Sequence, residues 1–322
     1  MTPIIFDTDP GVDDTAALLF AHAHPAIEIA AITTVFGNAD IETVTRNAAH
    51  IAGRFGISAP VARGAGVALH RGSGPPPTHV HGDNGLGNVA LPTTPLAPID
   101  ARPAHRLIID LVRERPGEIE IVAVGRMTNL ALALAEAPEI VDLVAGITIM
   151  GGAFGVGGPN GNVTPVAEAN IIGDPHAADI VFTAPWRVRM IGLDVTRRTI
   201  LRPEGFARLR AEGGAAGAFI ADVSEHYTGF HARFGVTGCY VHDSSAIAAV
   251  IAPELFSFRE GPVRVVAEGI AEGQTIQRDP AVFYPPGAWD GVPSQQVAVD
   301  VRADSVVGLM LDTLCGGAVR GA

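Results

Sequence analysis

The sequence predicts an α/β fold: a doubly wound, mostly parallel sheet flanked by helices, with a more helical C-terminal third. Three observations lead there. Strand-type and helix-type apolar patterns alternate through the first two thirds of the chain, the order that yields parallel strands joined by crossover helices. Ile121–Val124 and Ile147–Met150 are almost continuously apolar, as strands become when helices cover both faces of a sheet. Polar and glycine-bearing segments fall repeatedly just after a predicted strand, where open parallel sheets bind ligands.

The first strand is Ile4–Asp7; Pro10 and Gly11 end it and turn the chain into a helix over Thr15–His22. A strand at Ile27–Val35 and a helix at Ile41–Phe55 complete a βαβα opening. The alternation continues with helix Ala104–Arg113, strand Ile119–Val124, helix Asn129–Ala135, strand Ile147–Met150, helix His176–Phe182 and strand Val188–Leu193. Beyond Arg202 the pattern is mainly helical to Ala252. Short strands return at Val263–Ala267 and Val297–Val301, before a closing helix near Val306–Leu314. No repeat or linker breaks the chain, so residues 1–322 are expected to form one domain. The Gly/Pro-rich stretches Gly72–Pro77, leading to His79-Val80-His81-Gly82, and Gly155–Asn162 read as covers over a site or as ordinary surface loops.

Hydrophobic residues make up 48% of the chain and charged residues 17%, which excludes a disordered or linker-dominated protein. Net charge is −12 and the positive residues are scattered, so neither nucleic acid nor an anionic membrane is an expected partner. All 22 positive residues are Arg, which rules out a Schiff-base Lys, a Walker-A Lys and a Ser-Lys nucleophile. Cys239 and Cys315 stand far apart, suggesting neither a disulfide framework nor a zinc knuckle and pointing to a reducing compartment. Met1 runs directly into the first strand without a basic or long apolar leader, and no apolar stretch approaches membrane-spanning length. A cytoplasmic location is expected.

The densest chemical signal is Asp7-Thr8-Asp9-Pro10-Gly11-Val12-Asp13-Asp14. Four carboxylates at the end of a buried strand repel one another unless a divalent cation balances them. Helix capping accounts for one of Asp13 and Asp14, but not for Asp7 and Asp9. Calcium favours carboxylate, carbonyl and water oxygens. Asp9, Asp14 and a later aspartate can supply them, the best later candidate being Asp243 in Val241-His242-Asp243-Ser244. Read alone, Asp243 is equally a helix cap.

Eight segments in order resemble the inosine–uridine-preferring nucleoside hydrolase family across essentially the full length. They are the acidic segment above, Thr33-Thr34-Val35-Phe36-Gly37-Asn38, His81-Gly82-Asp83-Asn84-Gly85-Leu86-Gly87, Thr128-Asn129, Met150-Gly151-Gly152, Glu168-Ala169-Asn170 with Asp174-Pro175, Gly192-Leu193-Asp194-Val195-Thr196, and Val241-His242-Asp243. The resemblance implies calcium-dependent hydrolysis of the N-glycosidic bond of ribonucleosides to free base and ribose, in nucleoside catabolism and salvage. It implies calcium ligands Asp9, Asp14, Asp243 and the backbone carbonyl of Val124. Asp9 becomes the general base with Asp7 in support, and His242 the group that protonates the leaving base. Asp13, Asn38, Asn162, Glu168 and Asn170 become the ribose-binding set, with His81 also at the substrate. A homodimer or homotetramer is implied as well.

The base region is less legible. Tyr227–Tyr240 has the position of a base-covering segment, and Phe230 and Phe234 read equally as stacking rings or as core. Trp186 beside a strand and Trp289 in a late loop do not match the tryptophan sandwich of purine-specific relatives, so an inosine–uridine-like preference is expected. Arg126 has no role implied by the resemblance and reads as a surface or salt-bridge residue. Rival readings fare worse. A haloacid-dehalogenase-like phosphatase fails at Gly11 and lacks its Lys, and an EF-hand starting at Asp7 meets Leu18 where Glu is needed. A phosphorolytic nucleoside-cleaving enzyme would need a cationic phosphate cradle, and a non-enzymatic calcium or ribose binder is the remaining alternative.

Overall fold

A computed structural model describes residues 1–91 and 96–316. The first half of the chain runs β1 (Thr2–Thr8), α1 (Val12–Ala23), β2 (Ile27–Thr34), α2 (Ile41–Arg54), β3 (Val61–Ala62), α3 (Thr78–His81), β4 (Ile99–Asp100), α4 (Ala104–Glu114), β5 (Glu120–Ala123), α5 (Thr128–Glu136) and β6 (Gly146–Met150). The second half runs α6 (Ala169–Gly173), α7 (Pro175–Thr183), β7 (Val188–Ile191), α8 (Leu193–Thr196), β8 (Ile200–Leu201), α9 (Pro203–Glu212), α10 (Gly214–Ala232), β9 (Cys239–Tyr240), α11 (His242–Ile251), β10 (Phe256–Val265), β11 (Thr275–Gln277), β12 (Ser294–Val301) and α12 (Ala303–Gly316).

The main sheet has the order β11-β10-β12-β7-β6-β5-β1-β2-β3-β4. From β12 to β4 every pairing is parallel, while β10 and β11 are antiparallel additions at one edge. Alternate residues of β1 feed opposite layers: Ile4 and Phe6 pack with residues of α1, α10, α11 and α12, whereas Ile5 packs with residues of α4, α5 and α7. A strand buried on both faces reads as an apolar run for this reason. The chain winds outward from β1 through β2, then returns to lay β5 against the other side of β1. That reversal makes the carboxyl end of β1 a topological switch point, a place where open sheets form a crevice. Among the described residues no helix is long and apolar enough to cross a membrane.

Two boundaries differ from the sequence reading for physical reasons. Helix α1 begins at Val12 rather than Thr15, because the Asp14 carboxylate accepts the Gly11 backbone N–H (2.9 Å) and caps the helix from inside its first turn. Strand β10 starts seven residues before the predicted Val263, with exposed and half-buried residues over most of that stretch. An edge strand keeps polar residues there, which conceals it from an apolar pattern. The two-residue ladder between β8 and β9 was also unforeseen; with the Val241 N–H donating to Thr199 O (3.0 Å), it fixes the start of α11.

Candidate active site

Because β6, β5, β1 and β2 are adjacent and parallel, the segments that follow them emerge along one sheet edge. Asp9 follows β1, Asn38 follows β2, Val124 follows β5 and Gly151-Gly152 follow β6. Helix α11 packs on α1 and on β6, and brings His242 and Asp243 to the same edge.

Asp13, Asp14 and Asp243 each place a carboxylate oxygen so that all three lie within 4.8 Å of one another. Asp14 is held by four donors: Thr8 Oγ1 (2.5 Å) and Asp9 N (3.2 Å) on one oxygen, Gly11 N (2.9 Å) and Asn38 Nδ2 (2.9 Å) on the other. Asp9 accepts the Asn38 N–H on Oδ2 (2.8 Å), while its Oδ1 is buried without a partner. Asp7 accepts from Thr33 Oγ1 (2.6 Å) and Asn129 Nδ2 (2.8 Å), its second oxygen likewise unpartnered.

Burial raises the affinity of all these carboxylates for protons. Asp7 is pushed up to about 7 by desolvation, against its two hydrogen bonds. Asp9 rises well above the carboxylate range through burial and then the Asp14 charge; Asp243 does so through burial and then Asp13 and Asp14. Asp13 and Asp14 are raised mainly by burial too. Five proton-seeking carboxylates, of which Asp7 and Asp9 each keep an orphaned buried oxygen, form a donor set suited to a hard divalent cation, which would ionise them. The cluster can hold a metal ion.

Of the expected ligands, Asp14 and Asp243 stand in the tight trio, together with Asp13, expected at the ribose; Asp9 is outside the trio but near enough for its charge to act on Asp243. The Val124 carbonyl accepts Asn170 Nδ2 (2.7 Å), which also donates to Met150 O (3.1 Å); a carbonyl oxygen keeps a second lone pair for another partner. Glu168 is buried and caps α6, accepting from Asn170 N (3.0 Å), Ile171 N (3.2 Å) and Gly152 N (3.0 Å). Asn162 is exposed, and its Oδ1 accepts the Ala169 N–H (3.1 Å), tying the Gly-rich loop to the start of α6.

A band of rings lies beyond the acids. His81 accepts the Val12 N–H on Nδ1 (3.3 Å) and stacks on Tyr227, with centroids 5.4 Å apart. Tyr227 in turn meets His231, His231 meets Tyr240, and Tyr240 meets His242. The Tyr227 hydroxyl reaches Asp13 Oδ2 at 3.4 Å, joining the rings to the acids. His242 Nδ1 is 2.7 Å from Thr196 Oγ1. Burial pushes both His81 and His242 down to about 3, so both rings are neutral at pH 7. Gly87, at φ +62°, lets the loop after His81 touch α10: a Cβ there would lie 2.1 Å from Val223 O.

One expectation needs correction. Arg126 is half-buried rather than on the surface and makes no ion pair among the described residues; it donates through Nη1 to Phe36 O (2.6 Å) and lies 4.5 Å over the Phe36 ring. For Phe230 and Phe234, where the sequence leaves stacking rings and core open, core is excluded. Phe234 is 70% exposed, and half-buried Phe230 sits edge-on to His79 and His231. Trp186 is buried with its indole N–H on Val181 O, apart from this group, as its position implied. Sequence reasoning assigned no role to Thr8, Thr33, Asn129, Asp194 or Thr196. All five lie within the shared segments. Asp194, for instance, accepts the Phe154 (2.8 Å) and Val156 (2.6 Å) N–H groups of the Gly-rich loop.

Residues 4–308 match the family model described as inosine-uridine preferring nucleoside hydrolase. The inosine-uridine preferring nucleoside hydrolase of Crithidia fasciculata is 38% identical over 320 residues, covering 97% of this chain and 96% of that one. A probable uridine nucleosidase 2 of Arabidopsis thaliana is 38% identical over 317 residues, covering 97% of each. Among solved structures, a purine-preferring ribonucleoside hydrolase from Gardnerella vaginalis superposes with a TM-score of 0.89 at 35% identity, covering 98% of each chain. On the fold, the acidic edge and these likenesses together, the chain belongs to the inosine-uridine preferring nucleoside hydrolase family.

Proposed function

We propose that this chain hydrolyses the N-glycosidic bond of ribonucleosides, releasing free base and ribose, at the acidic edge where β1 meets β5. The observation that carries the reading is the convergence of Asp13, Asp14 and Asp243 beside Asp9, whose Oδ1 has no donor. Asp9, Asp14, Asp243 and the Val124 carbonyl would hold a calcium ion, which supplies an acidified water and a charge for the sugar hydroxyls. Asp9 keeps a buried oxygen without a donor whereas both oxygens of Asp14 are occupied by donors, which suits Asp9 to take a proton as general base.

Asp13, Asn38, Asn162, Glu168 and Asn170 line the sugar side as hydroxyl partners, and the ring band from His81 to His242 faces the base. Cleavage passes through an oxocarbenium-like ribose, which carboxylates stabilise, and a poor leaving base needs a proton. His242 can supply that proton only as the imidazolium, with Nδ1–H donating to Thr196 Oγ1 and Nε2–H given to the base, so the bound substrate must favour the charged ring that burial disfavours in the free protein. The named relatives differ in base, from uridine to inosine-uridine to purine. An inosine–uridine-like preference for this chain rests on His242 and the absence of a tryptophan at the ring band. We further propose one domain, a homodimer or homotetramer, and a cytoplasmic location, the last supported by two free cysteines.

Incubation with inosine or uridine in phosphate-free buffer tests the reaction. Free ribose and base are expected; a requirement for phosphate, with ribose 1-phosphate as product, would replace hydrolysis by phosphorolysis.

A further inference from the structure

Arg126 lies two residues past the Val124 carbonyl, and its side chain crosses from the end of β5 to the turn that follows β2. There it grips Phe36 twice, through the bond to the carbonyl and through its position over the ring. Its slot is made by two glycines. A Cβ on Gly37 would lie 2.4 Å from Arg126 Nη1 and 1.7 Å from Asp9 Oδ2, and one on Gly173 would lie 1.9 Å from Arg126 Nε. No residue other than glycine fits at either position without moving the guanidinium. Nε itself is buried without an acceptor, so shape and the Phe36 contacts, rather than full hydrogen bonding, place this side chain.

The gripped turn is the one that directs the acids. Asn38, two residues beyond Phe36, donates its backbone N–H to Asp9 Oδ2 and its side-chain amide to Asp14 Oδ2. On the far side Gly125 closes on Asp9, where a Cβ would lie 2.8 Å from Oδ1. Asp9 is therefore bracketed by the turn at residues 36–38 and by the segment that carries Arg126.

We propose that Arg126 is a positioning residue: by clamping the turn at residues 36–38 it fixes the direction of the Asp9 carboxylate. This rests on the reading of Asp9 as the general base. A planar guanidinium can donate to the Phe36 carbonyl and stack on the Phe36 ring at once, which an ammonium cannot do equally well. A shift of the base by about 1 Å lowers turnover by roughly 10²-fold.

Steady-state kinetics on inosine and on a nitrophenyl riboside, with metal content measured in parallel, test the proposal in Arg126→Met, Arg126→Lys and Gly173→Ala. Arg126→Met should lose about 10²-fold in kcat with KM within about threefold and metal content unchanged. Arg126→Lys should recover only part of that loss. Gly173→Ala, whose Cβ would meet Arg126 Nε at 1.9 Å with no Asp9 atom among its nearest neighbours, should repeat the signature by displacing the guanidinium, and decides the matter if Arg126→Met does not fold. In an Asp9→Asn background, Arg126→Met should cost little more, because both act through one group. Wild-type kcat in Arg126→Met, a rise in KM alone, or loss of metal would each overturn the proposal. Full turnover in Asp9→Asn would instead remove the base assignment, so the two failures are distinguishable.

Discussion

Asp9 and Asp14 are both buried aspartates, but only Asp14 is saturated by donors, while Asp9 keeps one oxygen bare. Their proposed roles follow: Asp14 is a fixed ligand, and Asp9 is free to accept a proton. Asp9→Asn is predicted to lower kcat by at least about 10²–10⁴, well beyond its effect on KM, with the fold retained by circular dichroism. A change in KM alone would send the search for the base elsewhere. His242 invites a second comparison. His242→Ala should slow inosine hydrolysis by about 10²–10⁴ yet leave a nitrophenyl riboside, whose phenolate departs unaided, near the wild-type rate. Equal losses on both substrates would make His242 a support for Asp243 rather than a proton donor. At this scale the acids were legible, because four aspartates in eight residues have no ordinary explanation. Their partners were not: Thr33, Asn129 and Thr196 are common buried residues whose meaning comes from distant chain segments, and Thr8 meets Asp14 only once the turn at Pro10-Gly11 folds the acidic segment back.

Among the elements, α8 joins two parts of the site in four residues. Asp194 holds the Phe154 and Val156 amides, Arg197 just after the helix donates to Pro159 O (3.2 Å) and Gly161 O (2.6 Å), and Thr196 meets His242. The loop that carries Asn162 is thereby tied at both ends. Asp194→Ala leaves two amides without their acceptor, at a cost of about 1–3 kcal/mol if they stay buried. The predicted outcome is faster hydrogen exchange over residues 154–162 and a higher KM for ribosides, with a smaller change in kcat. Unchanged exchange there would show that the loop holds itself. The central strands and flanking helices were readable because burial on both faces leaves apolar runs of strand length. Strand β10, the two-residue ladders and the ring band were not, since edge strands carry polar residues and the rings at 227–242 meet through tertiary packing with the segment around His81.

Across the whole molecule, a metal-dependent site should couple stability to pH. Asp7, Asp9, Asp13, Asp14, Asp243 and Glu168 are all raised by burial, so without metal they bind protons more tightly folded than unfolded. Their stabilising contribution is present below the unfolded carboxylate range and is lost as pH rises through the folded values, about 7 for Asp7. His81 and His242, lowered to about 3, act oppositely, but their contribution is lost only as pH falls below about 6.5. The difference in Tm between calcium-loaded and chelated protein should therefore widen from about pH 6 to about pH 8, and a constant difference would contradict the electrostatic account. The central claim, that the acidic edge works only with a cation among its carboxylates, is tested most directly by inosine hydrolysis in metal-stripped protein titrated with calcium. The account predicts negligible turnover without metal and restoration at one calcium per chain; full turnover in verified metal-free protein would contradict it.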